Sequence, residues 1–370
     1  MLYIHIPFCK QACSYCDFHF STSTRYKSDL VIALLKEIEI RKDELHNPLQ
    51  SVYLGGGTPS LLDAAELNSI LELVDAQWGI ASHAEITLEA NPDDLTLEKL
   101  QELKSLGINR LSIGVQSFFQ EDLSFMNRAH NSSEALQCIE LAAQTGFDRL
   151  SIDLIYGTPG LSDARWIENL EKAASLSVNH LSCYALTVEP KTPLAKGITL
   201  GKFINPDEEQ AARQFEIMQQ LAPQLGFRHY EISNLARKDA KAIHNSAYWD
   251  GKPYVGIGPS AHSFNGKNRR VNKANNTQYI QSLRLGDCIH ELEFIDTKTR
   301  YNELILTGLR TLRGIEKQAL IQLGKEYIQH FAKARKQLSN PEILQETHTA
   351  FVLNPNQWLF ADGIAASLFY

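Results

Sequence analysis

At 370 residues, with a formal net charge of −7 and 44% hydrophobic against 21% charged residues, the chain has the composition of a folded globular protein with room for a large core. The acidic balance argues against a nucleic-acid scaffold, which would carry a basic face, so no nucleic-acid partner is expected. No apolar run approaches roughly 18 residues, and the start of the chain lacks a basic segment followed by an apolar one. Neither a transmembrane helix nor a signal peptide is expected, and a reducing, cytoplasmic setting follows.

The first predicted element is a strand over residues 2–6, and the loop after it, Cys9-Lys-Gln-Ala-Cys13-Ser-Tyr-Cys16, holds three of the six cysteines. Three thiolates on one loop can bind three corners of a cubane [4Fe–4S] cluster and leave the fourth iron without a protein ligand. Two other readings stay open at this point. Zinc could be bound if His5 or His19 closed its tetrahedron, and a disulfide with a spare thiol would suit a secreted chain better than this one. Cys138, Cys183 and Cys288 are scattered in apolar surroundings and read as small buried hydrophobes.

Strand and helix signals then alternate. Strand-like apolar runs lie at 51–54, 84–90, 110–115, 149–155 and 180–186, with helical periods between them. Leu30, Leu34 and Ile38 share a face of the first helix, Asp63 and Glu66 form a capping box for the second, and Thr96 caps a third. Six β-α units in series predict a parallel sheet wound by right-handed crossovers. Because a closed barrel needs eight, the fold class is α/β, a partial (β/α)6 TIM-like barrel with a smaller, mainly helical C-terminal domain. A doubly wound open sheet is the structural rival.

Ligands of parallel α/β folds gather where strands end, and the unusual residues lie there. Gly55-Gly56-Gly57-Thr58-Pro59 follows the second strand, where missing side chains let backbone approach a ligand. Glu89 stands on an otherwise apolar strand end, Leu88-Glu89-Ala-Asn91-Pro92, where an unpaired carboxylate is costly. Gln116 ends the fourth strand, Arg128 follows it, and Asp153 interrupts the fifth. Each has an ordinary structural explanation alone; the shared location makes them a candidate site.

Past residue 230 the alternation breaks. The sequence divides into a barrel core at 1–230, an ordered loop region at 231–275, and a domain at 276–370 with helices at 278–285, 298–312 and 317–338. A terminal hairpin of 350–353 and 358–363 is expected to close it. The basic run Lys267-Asn-Arg269-Arg270, followed by Lys273, reads as a solvated loop or an anion contact.

The C-x3-C-x2-C spacing, with Tyr15 before the last cysteine, resembles the radical S-adenosylmethionine superfamily. The flanking Tyr3-Ile-His5-Ile-Pro-Phe8 narrows the resemblance to its coproporphyrinogen-dehydrogenase-like branch. The resemblance implies that Cys9, Cys13 and Cys16 ligate a [4Fe–4S] cluster whose open iron takes S-adenosylmethionine, from which the cluster generates a 5′-deoxyadenosyl radical. It also implies cofactor contacts for Tyr3, Gly56, Gly57, Thr58, Glu89, Gln116, Arg128 and Asp153, with Tyr15 near the adenine. The dehydrogenases of this branch carry a fourth cysteine two residues after the third, where this chain has Phe18. They also have a long amino-terminal arm that this chain is expected to lack. By contrast His244-Asn245-Ser-Ala-Tyr248-Trp249 resembles the haem-binding signature of the haem chaperones in the same family. That implies haem as a third cofactor, with His244 as an axial ligand and Asn245, Tyr248 and Trp249 around it, and a haem-accepting apoprotein as partner. Delivery to membrane apoproteins would add a peripheral membrane contact. Three alternatives remain: oxidative decarboxylation of coproporphyrinogen III, a radical enzyme modifying RNA, against which the acidic charge counts, and a stretch 244–249 that merely seals the barrel.

Overall fold

Apolar side chains on successive strands build the first half of the protein around one core. The computed structural model describes residues 1–370, apart from the side chain of Pro341. Its strands are β1 (Leu2–Ile6), β2 (Leu49–Gly56), β3 (Ile80–Ala90), β4 (Arg110–Gln116), β5 (Arg149–Tyr156), β6 (His180–Ala185), β7 (Arg228–His229), β8 (Asn234–Ala236) and β9 (Val255–Ile257). They form one sheet in the order β7-β8-β6-β5-β4-β3-β2-β1-β9. β1 to β6 pair in parallel, as the alternation of sequence signals predicts. β8 runs antiparallel to β6, and β9 adds a seventh parallel strand beyond β1.

Helices cover the outside: α1 (Lys27–Ile40), α2 (Ala64–Trp78), α3 (Leu97–Ser105), α4 (Gln120–Phe125), α5 (Ser132–Gln144), α6 (Asp163–Ser175), α7 (Pro193–Thr199) and α8 (Glu208–Leu221). Asp63 and Glu66 cap α2 reciprocally, Thr96 caps α3, and Asn131 with Glu134 caps α5. Strand register decides which side chains meet inside. Glu89 lies beside Ser112, and Asp153 beside Ser182. Tyr53 stands two residues before Gly55 on the same face of β2, a consequence of the two-residue repeat of a strand.

The stretch 231–275 is not a loop region. It carries β8, helix α9 (Ile243–Trp249), β9, and two strands of a second sheet, β10 (His262–Phe264) and β11 (Asn268–Asn272). These elements are too short to show a period in sequence. The basic run is β11, where Arg269 pairs with Glu293 at 2.9 Å and with Glu303 at 2.5 Å. Its neighbour is β12 (His290–Phe294). The last part holds α10 (Asn276–Arg284), α11 (Thr297–Leu309), α12 (Lys317–Leu323), α13 (Lys325–Lys336) and α14 (Ala361–Leu368), with strands β13 (Ile315–Glu316), β14 (Leu344–Glu346) and β15 (Ala350–Leu353). The helix expected over 317–338 is two, because Gly324 at φ +122° takes a backbone angle that a continuous helix cannot. β15 pairs with β14 and β13 rather than with 358–363, which is helical. No helix of the described residues is long and apolar enough to cross a membrane.

Candidate cofactor site at the strand ends

The cysteine loop leaves β1 and folds across the ends of β2 to β4. Cys9, Cys13 and Cys16 are free and half-buried. The glycine run is what lets the loop come so close. A Cβ on Gly57 would lie 2.7 Å from the carbonyl oxygens of Ile6 and Phe8, and one on Gly56 would lie 2.3 Å from the His5 ring. Gly56 also sits at φ +107°, which a side chain would strain.

A chain of hydrogen bonds ties the loop to the strand ends. The Arg128 guanidinium donates to Cys13 Sγ at 3.2 Å, to Asn91 Oδ1 at 2.7 Å and to the Gly114 carbonyl at 2.8 Å. Asn91 donates in turn to Thr58 Oγ1 at 3.2 Å. Glycine at 114 leaves room for these side chains, since a Cβ would stand 3.0 Å from both Arg128 Nη2 and Gln116 Nε2. Gln116 is buried and holds φ +67°, a strained backbone angle for a residue with a side chain. On the far side, Ser14 accepts from the Leu194 N–H at 2.7 Å and donates to Phe125 O at 3.2 Å, pinning the loop to α7 and α4. Tyr15 packs into the small apolar cluster of Leu123, Met126, Ile155, Leu186 and Leu194.

Glu89 accepts from Tyr53 Oη at 2.7 Å and from the Gly56 N–H at 2.9 Å. Burial pushes its carboxyl pKa up, and these two hydrogen bonds pull the other way. Asp153 is raised to about 7, first by burial and then by the charge of Glu89. Ser112 Oγ reaches its Oδ1 at 3.5 Å. Tyr3 donates to His5 Nδ1 at 3.0 Å and stacks on Tyr53 with ring centres 6.1 Å apart.

The donor chemistry suits a cluster and a cofactor, while among the described residues no three His, Cys, Asp or Glu side chains already stand together as a metal site. The three thiols share one half-buried loop, and a guanidinium on Cys13 suits an anionic cluster. Burial raises the Cys9 pKa and lifts Cys16 to about 11, so binding metal releases protons. Two carboxylates and backbone made approachable by glycine lie beside the loop. The zinc reading loses His5 as its fourth ligand, and His19 has one ring nitrogen engaged. His5 Nδ1 meets Tyr3 Oη and its Nε2 meets the His19 carbonyl at 2.9 Å, while His19 Nε2 meets Asn276 Oδ1 at 2.7 Å. Sequence reasoning missed Asn91 and Tyr53. Asn91 stood in the quoted strand end, and Tyr53 stood two residues before the glycines.

His244 lies elsewhere. It is buried at the start of α9, one layer below Tyr53 inside the barrel, with ring centres 5.0 Å apart. Its Nδ1 meets Ser51 Oγ at 2.9 Å, its Nε2 meets Tyr248 Oη at 3.1 Å, and its backbone N–H donates to Glu85 at 3.0 Å. Burial lowers its pKa to about 3. Tyr248 packs edge-on against Tyr254, and the Trp249 carbonyl accepts from Arg313 at 2.8 Å. Asn245 is half-buried beside them. Both ring nitrogens are hydrogen-bonded within the barrel, so ligation of haem by His244 would require the Tyr248 hydroxyl to give up Nε2.

Comparison with known proteins bears on the family. Over 95% of its length the chain is 32% identical to the haem chaperone HemW of Bacillus subtilis and spans 94% of that protein. The chain belongs to the HemW family of haem chaperones. HemW of a Synechocystis strain is 33% identical, with 99% of this chain and 95% of that protein covered. HemW of Mycobacterium tuberculosis is 35% identical over 76% of this chain and 74% of its own. Residues 3–173 match the radical SAM superfamily, whose members use a [4Fe–4S] cluster and S-adenosylmethionine. In fold the chain resembles HemN, the radical SAM coproporphyrinogen III oxidase of Escherichia coli. That likeness covers 100% of this chain and 89% of the other, with a TM-score of 0.84 at 23% identity. The partial-barrel architecture expected from sequence is thus the architecture that the chain takes.

Proposed function

We propose that this protein is a haem chaperone that binds a [4Fe–4S] cluster and S-adenosylmethionine at the strand ends and carries haem to an acceptor apoprotein. The observation that carries this reading is the match to HemW haem chaperones over nearly the whole of both chains. Cys9, Cys13 and Cys16 would hold the cluster, which supplies one-electron chemistry when bound. Arg128 holds positive charge against Cys13 and fixes that corner of the loop through Asn91 and Gly114. Glu89 uses one lone pair on each oxygen for Tyr53 and Gly56, and a carboxylate has about four such sites, so capacity remains for the cofactor's hydroxyls. Tyr3, Gly56, Gly57, Thr58, Gln116 and Asp153 line the same region, with Tyr15 on its apolar side.

Coproporphyrinogen dehydrogenation is the second reading, and the fold shared with HemN favours it. Phe18 counts against it, because it stands 67% exposed where those enzymes carry cysteine. The test is one series on anaerobically reconstituted protein. Wild type should hold roughly four irons and bind one haem per chain. It should leave coproporphyrinogen III unconverted with S-adenosylmethionine and a reductant. Any of Cys9→Ser, Cys13→Ser or Cys16→Ser should lose most of the iron. Steady formation of protoporphyrinogen IX, or stoichiometric zinc in place of iron, overturns the assignment.

A further inference from the structure

On the neighbouring strands β2 and β3, Ser51 pairs with Glu85 and Tyr53 with Thr87, and Gly55 and Glu89 follow two residues further on the same faces. The lower pair holds α9: Ser51 Oγ meets His244 Nδ1 at 2.9 Å, and Glu85 accepts from the His244 N–H at 3.0 Å. The upper end carries Glu89, the candidate cofactor carboxylate. Tyr53 spans the two. Its hydroxyl donates to Glu89 Oε1 at 2.7 Å, and its ring centre lies 5.0 Å from that of His244, with the planes 32° apart. Burial, and after it the charge of Glu89, push the Tyr53 phenol well above its usual range, so it keeps the proton it donates. Tyr3 stacks on the same ring with centres 6.1 Å apart. Gly55 makes this contact possible. A Cβ there would stand 2.7 Å from Tyr53 Cε1 and 3.0 Å from Glu89 Cδ. Gly55 has no positive φ, so space rather than conformation is what calls for glycine.

We propose that Tyr53 couples the cofactor site to α9, an inference that rests on Glu89 receiving the cofactor's hydroxyls in the reading above. A carboxylate whose remaining lone pairs accept from the cofactor is held in one rotamer. It then fixes the Tyr53 hydroxyl, and the ring, packed between Tyr3 and His244, passes that order to the helix. The column of side chains loses its freedom once, so a ligand at the upper end steadies the lower end without touching it. Because α9 holds the stretch 244–249, on the chaperone reading the cofactor sets how firmly the haem residues are held. Release of His244 Nε2 by Tyr248 then depends on what occupies the strand ends. Tyr53 is a positioning residue in this scheme: it acts on the helix through His244 and on the cofactor through Glu89.

Hydrogen exchange of the reconstituted protein reads this coupling without haem and without turnover. At saturating S-adenosylmethionine the amides of residues 243–249 should exchange at least about fivefold more slowly than in its absence, the lower end of ordinary coupling between sites. Those of α13, remote from the strand ends, should change by less than about twofold. Tyr53→Phe keeps the ring between Tyr3 and His244 and removes only the hydroxyl. Its α9 should exchange as in wild type without the cofactor and should no longer respond at saturation. Gly55→Ala, which wedges Tyr53 away from Glu89, should lose the response too, and Tyr53→Phe decides the matter alone if the alanine variant does not fold. An undiminished response in Tyr53→Phe overturns the coupling. Equal slowing of α9 and α13 also overturns it, because any tight ligand stabilises the whole fold in that way. A wild type that binds S-adenosylmethionine in a titration and shows no change in α9 overturns the coupling alone. A wild type that binds none overturns the cofactor reading, and the coupling with it.

Discussion

Gly57→Ala isolates what the glycine run is for. Gly57 has an ordinary backbone angle, so alanine brings no conformational strain of its own, and the whole effect comes from one methyl group. That methyl would stand 2.7 Å from Ile6 O, 2.7 Å from Phe8 O and 2.8 Å from Phe8 N, whereas carbon contacts relax near about 3.5 Å. All three are backbone atoms, so no side chain can rotate away, and the Ile6–Phe8 segment must retreat by roughly 0.7 Å. Overpacking of this kind costs about 1–3 kcal/mol, and a backbone obstacle puts it in the upper half of that range. Cys9 follows Phe8 directly, so the first cluster ligand moves with it. Urea unfolding of the apo protein should show a loss of about 2–3 kcal/mol, and reconstituted iron should fall well below wild type. Gly363→Ala is the internal control. It lies in α14 with nothing within 4 Å of the new Cβ and should be neutral or stabilising by about 0.5–1 kcal/mol. If Gly57→Ala keeps wild-type stability and iron and loses only S-adenosylmethionine affinity, the glycine serves the cofactor and the packing argument is wrong.

Glu89→Gln should weaken S-adenosylmethionine binding by about 1–3 kcal/mol with iron near normal, because a charge-assisted acceptor is lost while the Tyr53 and Gly56 contacts can persist; a collapse of iron content would make the carboxylate structural. Asp153 has its folded pKa raised to about 7 from 3.8, so the unfolded chain loses its proton first and the aspartate costs stability increasingly as pH rises through that window. Asp153→Asn should therefore stabilise the apo protein more at pH 8 than at pH 4, and an equal effect at both would refute the raised pKa. His244→Ala should cost about 2–4 kcal/mol at pH 7.5, from the cavity and from stranding Ser51 and Tyr248. Burial holds the imidazole neutral down to about 3 against 6.5 in the unfolded chain, so its contribution is complete above 6.5 and fades as pH falls. The variant should accordingly lose less stability than wild type between pH 6.5 and pH 4.5, and parallel profiles would argue against a buried neutral ring.

The first half of the fold was legible because its strands are long enough to show continuous apolar character and its helices long enough to show a period and a cap. Asp63 with Glu66 is an example in which local chemistry alone named a helix start that the structure keeps. Residues 231–275 failed for the opposite reason. β8 and β9 are three residues each and α9 is seven, below the length at which alternation separates from chance. What makes Val255–Ile257 a strand is its neighbour β1, more than two hundred residues away in the chain, through pairings such as Leu2 with Val255. The terminal hairpin was misassigned by the same limit: Ala350–Leu353 was recognised as a strand, but the partner it takes is set by tertiary packing.

The candidate site was readable wherever residue type alone implies chemistry. Cysteines at close spacing, glycines after a strand and a carboxylate on an apolar run each carry a physical cost that invites an explanation, and the structure brings them to one set of strand ends. His244 shows where that inference stops. A histidine beside tyrosine and tryptophan has the composition of a haem pocket and equally the composition of a packed interior, and residue type alone does not choose between them. Here Ser51 and Tyr248 take both nitrogens and Tyr53 covers the ring. A motif places chemistry in the chain, and the count of satisfied and unsatisfied partners decides whether that chemistry is free to act.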